Sequence, residues 1–140
     1  MRLSITTPKG SLLDAEVEEV TAPGTEGEFG VLPGHIPFLS SLRPGVLAYR
    51  TKDGERVLAV SDGLLEVAQT AQGEQVLVLV TQALRTNNID REAAAAEMAD
   101  ADKKLAEWTG DLGPEVQALR LKRAWAEARV NAASKGTLAH

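Results

Sequence analysis

Short apolar runs alternate with turn residues from Arg2 to about Ala83. The runs are about five to seven residues long and rich in Val, Ile and Leu, and a turn signal follows roughly every ten residues. This spacing is typical of an all-β sandwich or barrel, and it leaves no room for a helix of ordinary length before residue 86. Lys52–Glu55 is the clearest hairpin turn, because glycine accepts the positive φ that such turns require. Seven strands are therefore predicted: Leu3–Thr7, Val17–Ala22, Ile36–Leu42, Val46–Thr51, Val57–Ser61, Leu64–Gln69 and Gln75–Thr81.

The pattern changes after Asn87-Asn88-Ile89, where alanine and charged residues replace the β-branched runs. Asp90 stands where a helix N-cap accepts backbone N–H groups, so a helix is predicted over Arg91–Trp108. Thr109–Gly113 interrupts it, and Pro114 suits the first turn of a second helix. Each helix has an apolar stripe with alternating spacings of three and four. The stripes consist of Ala94, Met98, Ala101, Leu105 and Trp108 on the first helix, and of Ala118, Leu121, Trp125, Ala128 and Ala132 on the second.

These two patterns predict a chain that is mainly β with an α appendage. An N-terminal β-sandwich over residues 1–86 is followed by a C-terminal antiparallel two-helix hairpin over residues 87–140, which is too small to stand alone and should lean on another surface. The absence of cysteine is consistent with a reducing compartment. The longest strongly apolar run, Val76–Val80, is far shorter than the roughly 20 residues that cross a bilayer. No direct membrane insertion is predicted, and any membrane association is expected through a partner.

The charge distribution argues against nucleic acid as a partner. The net charge is −5 and the pI about 5.1, whereas nucleic-acid interfaces are basic. Residues 115–135 depart from this balance, with five Lys or Arg against two Asp or Glu. This basic segment is either a solvated helix face or a contact for an acidic partner. Its candidate residues are Arg120, Lys122, Arg123 and Arg129.

The segment Gly24–His35 holds four glycines, two acidic residues and a histidine. Its glycines recur at every third position, and no Gly-Lys-Ser/Thr follows, so it does not match a nucleotide-binding loop. One interpretation is a tight bulged loop between strands, in which the glycines supply positive φ. The other is a functional loop.

His35 is one of two histidines, the other being His140, and there is no cysteine. A zinc site of histidine and cysteine ligands cannot be assembled from this set, so no metal ligand is predicted. A small β-sandwich hydrolase that uses His35 with Ser40 or Ser41 is an alternative, but no G-x-S-x-G elbow supports it. No catalytic residue is predicted.

The segment Pro23–Leu39 resembles the signature of bacterial epsilon subunits of F-type ATP synthases, which runs P-G-x-E-G-E-(F/L)-G-(I/V)-L-P-G-H-x-P-(F/L)-L. Leu42–Gly45 is similar to the L-x-P-G of that family, and Ser61–Val67 to its S-x-G-(F/I/L)-(L/A)-E-V. In the helical part, Leu121–Ala124 is similar to its L-K-R-A. The resemblance therefore covers nearly the whole chain.

The resemblance implies a non-catalytic subunit of the central rotating stalk. It implies a sandwich that binds the gamma subunit and rests on the c-subunit ring, and so couples proton-driven rotation to the catalytic alpha/beta hexamer. The expected location is the cytoplasmic face of the bacterial plasma membrane, as a peripheral protein, although a plastid origin stays open. The positions that match the family's gamma and c-ring contact are Glu28 and His35, with Gly27, Gly30, Pro33 and Gly34 shaping the loop around them.

The resemblance also implies a regulatory tail. In the family the hairpin extends toward an acidic segment of the β subunit and inhibits ATP hydrolysis, and Arg120, Lys122, Arg123 and Arg129 are the candidates for that contact. Some members bind ATP on the folded hairpin through an I-D-x-x-R-A motif. Here Ile89-Asp90 matches, but Ala93 replaces the arginine, so Asp90 and Arg123 are the remaining candidates. An ATP-sensing module is thus the alternative function, and no resident cofactor is predicted.

Overall fold

The computed structural model describes the backbone of residues 1–138 and the side chains of residues 1–135. The predicted hairpin segment ends at 140, so its last two residues, His140 among them, lie outside the described residues. Within residues 1–138, ten strands precede two α-helices. The strands are β1 Arg2–Thr7, β2 Gly10–Glu16, β3 Glu19–Gly24, β4 Gly27–Val31, β5 Phe38–Leu42, β6 Gly45–Thr51, β7 Gly54–Val60, β8 Gly63–Thr70, β9 Gly73–Val80 and β10 Ala83–Arg85. A 3-10 turn at Thr86–Asn88 leads to α1 (Arg91–Ala106) and α2 (Pro114–Leu138).

The strands form one folded-over sheet with the order β10-β7-β6-β3-β5-β8-β9-β1-β2, and β4 pairs with β3. β1 and β9 run parallel, whereas the other neighbouring strands run antiparallel. Inward-facing side chains from all parts of this sheet meet in one core, in which Leu3, Leu47, Leu65 and Val76 are fully buried. The predicted β-sandwich followed by a helical hairpin is therefore confirmed.

Three strands were absent from the predicted set: β2, β4 and β10. β2 lies at the sheet edge. It was missed because it contains no β-branched residue and so lacks the composition that is typical of a strand. β4 occupies part of the glycine-rich segment, and the interpretation of that segment as a loop was wrong there. Its backbone pairs with β3 from Gly27 to Val31, which satisfies its hydrogen bonds in spite of the glycines.

The first helix begins where the N-cap signal placed it. The Asp90 carboxylate accepts a hydrogen bond from the backbone N–H of Ala93 at 3.0 Å. The helix ends at Ala106, two residues before the predicted end at Trp108. The Trp108 indole N–H instead donates to the carbonyl of Asp111 at 3.1 Å and thereby fixes the connection between the helices.

The second helix has two apolar faces, where the sequence predicted one. Trp125, Ala128 and Ala132 of the predicted stripe pack against Ala59 of β7, with Val46, Leu84 and Ile89 around them. Ala118 and Leu121, predicted for the same stripe, are exposed, so that part of the prediction was wrong.

Contact with α1 comes from other residues of α2. Val116 and Ala126 of α2 are buried but do not belong to the cluster around Ala59. The same is true of Ala94 and Ala101 of α1. Because α1 packs on α2 rather than on the sandwich, these residues are buried between the helices. The hairpin thus rests on β6 and β7 through α2. No helix within residues 1–138 combines the length and apolar composition that a membrane crossing needs.

Candidate functional site

A tight turn joins β4 to β5 within the glycine-rich segment. The backbone N–H of His35 donates to the carbonyl of Leu32 at 3.1 Å, which closes a four-residue turn with Pro33 and Gly34 at its centre. Gly34 has φ +88°, as the third residue of a type II turn requires, and proline suits the second position. The Gly34 N–H donates to both carboxylate oxygens of Glu74, at 2.7 and 2.9 Å. Glu74 thus connects this turn to β9, forty residues further along the chain.

Three aromatic rings support the turn from the side of the sheet. The Phe29 and Phe38 rings meet edge to face with centroids 5.3 Å apart, and the His35 ring contacts Phe38 in the same way at 5.5 Å. The Nδ1 atom of His35 lies 2.8 Å from the carbonyl oxygen of Ile36, to which it donates in the Nδ1-protonated tautomer. The Ser40 hydroxyl donates to the carbonyl of Ser41, not to His35. His35 therefore stabilises the turn, and the seryl hydrolase arrangement is not assembled.

Exposed apolar side chains lie in and next to this turn, in β5, and on the outer side of β8 and β9. Ile36 is 73% exposed, and on the outer side of the sheet Leu64 of β8 lies directly opposite Leu79 of β9, each 44% exposed. The outer side of an antiparallel sheet is usually polar, and a contiguous exposed apolar patch marks an interaction surface. We refer to this surface as the leucine face; it consists of Leu32, Ile36, Leu39, Leu64 and Leu79.

The predicted loop residues separate into two groups. Pro33, Gly34 and His35 lie together in the turn. Gly27 and Glu28 lie at the start of β4, where Gly27 supplies a positive φ of +136° to the β3–β4 turn and Glu28 is exposed. Four residues, Phe29 to Leu32, separate the groups, so Glu28 and Pro33 are five positions apart, roughly 16 Å along an extended chain. Gly30 lies between them, paired with Thr21 of β3.

Comparisons with known proteins identify the family of this chain. The sequence model of the family described as "ATP synthase, Delta/Epsilon chain, beta-sandwich domain" matches residues 1–86. The chain belongs to this family.

Curated relatives extend the likeness over the helical part. The ATP synthase epsilon chain of Trichlorobacter lovleyi is 47% identical over 110 residues, which cover 78% of this chain and 76% of the relative. The ATP synthase epsilon chain of Geobacter sp. (strain M21) is 39% identical and covers 98% of this chain and 96% of the relative.

Among solved structures, a chain of the Euglena gracilis mitochondrial ATP synthase, OSCP/F1/c-ring in rotational state 1, superposes with a TM-score of 0.76 at 27% identity. The superposition covers 94% of this chain and 79% of that one. A chain of the Tetrahymena thermophila mitochondrial ATP synthase central stalk and c-ring has the same fold, with a TM-score of 0.61 at 18% identity.

Two of the four basic candidates of this epsilon-family chain hold the hairpin together. Arg129 forms an ion pair with Glu97 of α1, and its guanidinium lies 5.3 Å from the ring centroid of Trp125. Arg123 reaches Asp102 of α1 at 2.8 Å and also pairs with Glu127 on its own helix. Two of these three carboxylate contacts join α2 to α1, and together they engage both guanidinium groups.

The other two basic candidates point into solvent. Arg120 and Lys122 are exposed, and neither forms an ion pair within the part of the chain that the structure describes. A partner can therefore reach both of them without first breaking an ion pair of the hairpin.

Both candidate ATP residues of this epsilon-family chain also have protein partners. Asp90 caps α1, and Arg123 bridges the helices. Ala93, three residues after Asp90, offers only a methyl group. Within residues 1–135, no three His, Asp or Glu side chains converge as a metal site would need.

Proposed function

We propose that this chain is a non-catalytic rotor subunit of a proton-translocating F-type ATP synthase. Its sandwich, residues 1–86, anchors it to the gamma subunit and the c-subunit ring and couples proton-driven rotation to ATP synthesis in the alpha/beta hexamer. The observation that carries this proposal is the leucine face, which includes Leu32 and Ile36 of the turn segment, on a chain of the epsilon family. Docked in this way, the chain is a peripheral protein at the cytoplasmic face of the bacterial plasma membrane.

The leucine face has the composition of an interface core with a polar rim. Its aliphatic side chains offer burial worth about 25 cal/mol per Å² of apolar surface covered. We assign His35 in the turn and Glu28 at the start of β4 to its polar rim, the part of an interface where polar residues are usually found. The Euglena relative comes from an assembly that contains F1 and a c-ring, which supports the choice of partners.

Binding of the complete chain to purified gamma tests this proposal. Leu79→Glu places a charge in the leucine face, and Leu121→Glu places the same charge on α2 at nearly equal exposure, 43% against 44%. We expect Leu79→Glu to weaken binding by at least about tenfold, equivalent to 1.4 kcal/mol, and Leu121→Glu to leave it unchanged. Equal affinities of both variants and the original chain would rule out the leucine face as the docking surface.

For the region 87–140 we propose a regulatory role as a brake on ATP hydrolysis. The hairpin rests on the sandwich through a small cluster around Trp125, so it can leave that position at a modest cost compared with unfolding the sandwich. Arg120 and Lys122 are exposed and can contact an acidic segment of the hexamer directly. Arg123 and Arg129 join that contact only after they release Asp102 and Glu97.

We propose that the chain needs no resident cofactor. ATP sensing by the hairpin is the alternative, and its support is limited to Ile89-Asp90 and Arg123, because Ala93 provides no phosphate-pairing cation. Titration calorimetry with millimolar ATP distinguishes the two: heat that disappears in Arg123→Ala supports sensing, and absence of heat excludes it.

A further inference from the structure

The carboxylate of Glu74 is committed to one backbone group. Both of its oxygens accept from the Gly34 N–H, at 2.7 and 2.9 Å. In a type II turn this N–H is not used by the turn itself, so it needs water or a side chain as acceptor. Glu74 forms no ion pair with any residue that the structure describes. Because the acceptor is ionised, this hydrogen bond is stronger than one between neutral groups, and it holds the Gly34 N–H at the Glu74 carboxylate.

The acceptor is itself held in place. Glu74 follows Gly73, whose φ of +108° ends the tight turn between β8 and β9. The Thr70 hydroxyl closes that turn, because it donates to the carbonyl of Gly73 at 2.8 Å and accepts from the Gln72 N–H at 3.2 Å. The carboxylate therefore extends from a fixed hairpin end rather than from a loose loop.

The turn that Glu74 holds presents the most exposed apolar residue of the leucine face. Ile36, 73% exposed, follows His35 directly, and Leu32 begins the turn. On the other side the turn is supported by the edge-to-face contact of His35 with Phe38. The Phe38 ring and the Glu74 carboxylate thus both restrict the movement of the turn.

We infer that Glu74 is a positioning residue of the docking surface, which fixes the Pro33–Gly34 peptide so that Leu32 and Ile36 meet the rotor partner in one orientation. This inference rests on the proposed function, because it assigns a role within the same surface. A preordered turn loses less conformational freedom on binding, so removal of the carboxylate lowers affinity without removing a contact to the partner.

The experiment compares four full-length variants with the original chain. Glu74→Ala removes the acceptor and Glu74→Gln keeps one neutral oxygen. Glu55→Ala is the matched control, because Glu55 also follows a glycine of positive φ, Gly54, in a tight hairpin turn, yet makes no contact to the Leu32–His35 turn. Ile36→Glu tests whether the turn belongs to the docking surface at all.

Two readouts are taken for each variant: the amide hydrogen exchange of Gly34 in the free chain, and the dissociation constant for purified gamma. For Glu74→Ala we expect Gly34 exchange to rise by about tenfold or more and affinity to fall by about threefold to tenfold. Glu74→Gln should fall between Glu74→Ala and the original chain in both readouts, and Glu55→Ala should match the original chain.

The contrary outcomes are distinguishable. If Gly34 exchange does not change in Glu74→Ala, the carboxylate does not hold the turn and the inference is overturned. The same holds if Gly34 exchange rises and Ile36→Glu binds weakly, but Glu74→Ala binds as the original chain does. Normal binding of Ile36→Glu instead removes the turn from the docking surface and overturns the proposed assignment of this surface together with the inference.

Discussion

At residue scale, Gly30 and Gly34 differ in whether the structure requires a glycine. Gly34 has φ +88°, where a side chain is strained, although a Cβ atom would meet nothing within 4 Å. Gly30 is in a paired strand, where a Cβ atom would meet only the carbonyl of Val20 at 3.9 Å. Backbone conformation requires glycine at the first position and nothing in the structure requires it at the second.

Alanine substitution should separate these two cases. We expect Gly34→Ala to lower the free energy of unfolding by about 1–2 kcal/mol, because the left-handed conformation disfavours a side chain. Gly30→Ala should change it by less than about 0.5 kcal/mol. Urea denaturation of both variants measures the difference, and equal costs would show that the turn readily adopts another conformation.

A second residue-scale effect concerns charge at the sheet edge. The Arg2 guanidinium donates a hydrogen bond to the Asp14 carboxylate at 2.6 Å, and this contact lowers the pKa of Asp14. A carboxyl whose pKa is lower in the folded state contributes stability above its unfolded pKa and loses that contribution as pH falls through the folded value. Asp100 behaves in the same way, because the Lys104 ammonium bonds to it and lowers its pKa.

Removal of the guanidinium should affect one of these carboxyl groups alone. In Arg2→Gln we expect the pKa of Asp14 to rise toward its ordinary value, while the pKa of Asp100 stays lowered because Lys104 is untouched. Carboxyl carbon chemical shifts followed from pH 2 to 7 give both values. An unchanged pKa for Asp14 would mean that Arg2 and Asp14 do not pair in solution.

At the scale of elements, the sequence pattern was most informative for elements that bury only one face. The alternation in β8 leaves Leu65 and Val67 buried, and Asp90 marks the start of α1. The pattern was least informative for α2, which has two apolar faces. Whether Trp125 faces α1 or the sandwich depends on where the hairpin rests, and helical periodicity does not encode that.

Truncation of the two tryptophans tests where the hairpin rests. Trp125 is 9% exposed and lies in the cluster with Ala59, whereas Trp108 lies in the connection between the helices. We expect Trp125→Ala to cost about 3 kcal/mol and to raise hydrogen exchange in α2 while exchange in β6 and β7 stays slow. Trp108→Ala should cost clearly less, and a uniform rise of exchange in both regions upon Trp125→Ala would contradict a separable hairpin.

At the scale of the whole molecule, the division into sandwich and hairpin was visible in the sequence, because the hydrophobic period changes near residue 87. The resemblance of Pro23–Leu39 also identified the segment that forms the turn. The contact between Glu74 and Gly34 was not predictable, since it joins residues forty positions apart and glutamate in a strand gives no such signal. The leucine face was not predictable for a similar reason: the exposure of Leu64 and Leu79 becomes apparent only when the strands are paired.

The sandwich has a core of its own, whose residues all precede the helices, so its role can be separated from that of the hairpin. ATP hydrolysis by a reconstituted alpha/beta hexamer with gamma is measured after addition of the complete chain or of a chain that ends at Thr86. We expect both forms to bind and only the complete chain to slow hydrolysis. If both bind and neither slows hydrolysis, the hairpin is not a brake; if neither binds gamma, the chain does not dock on the rotor as proposed.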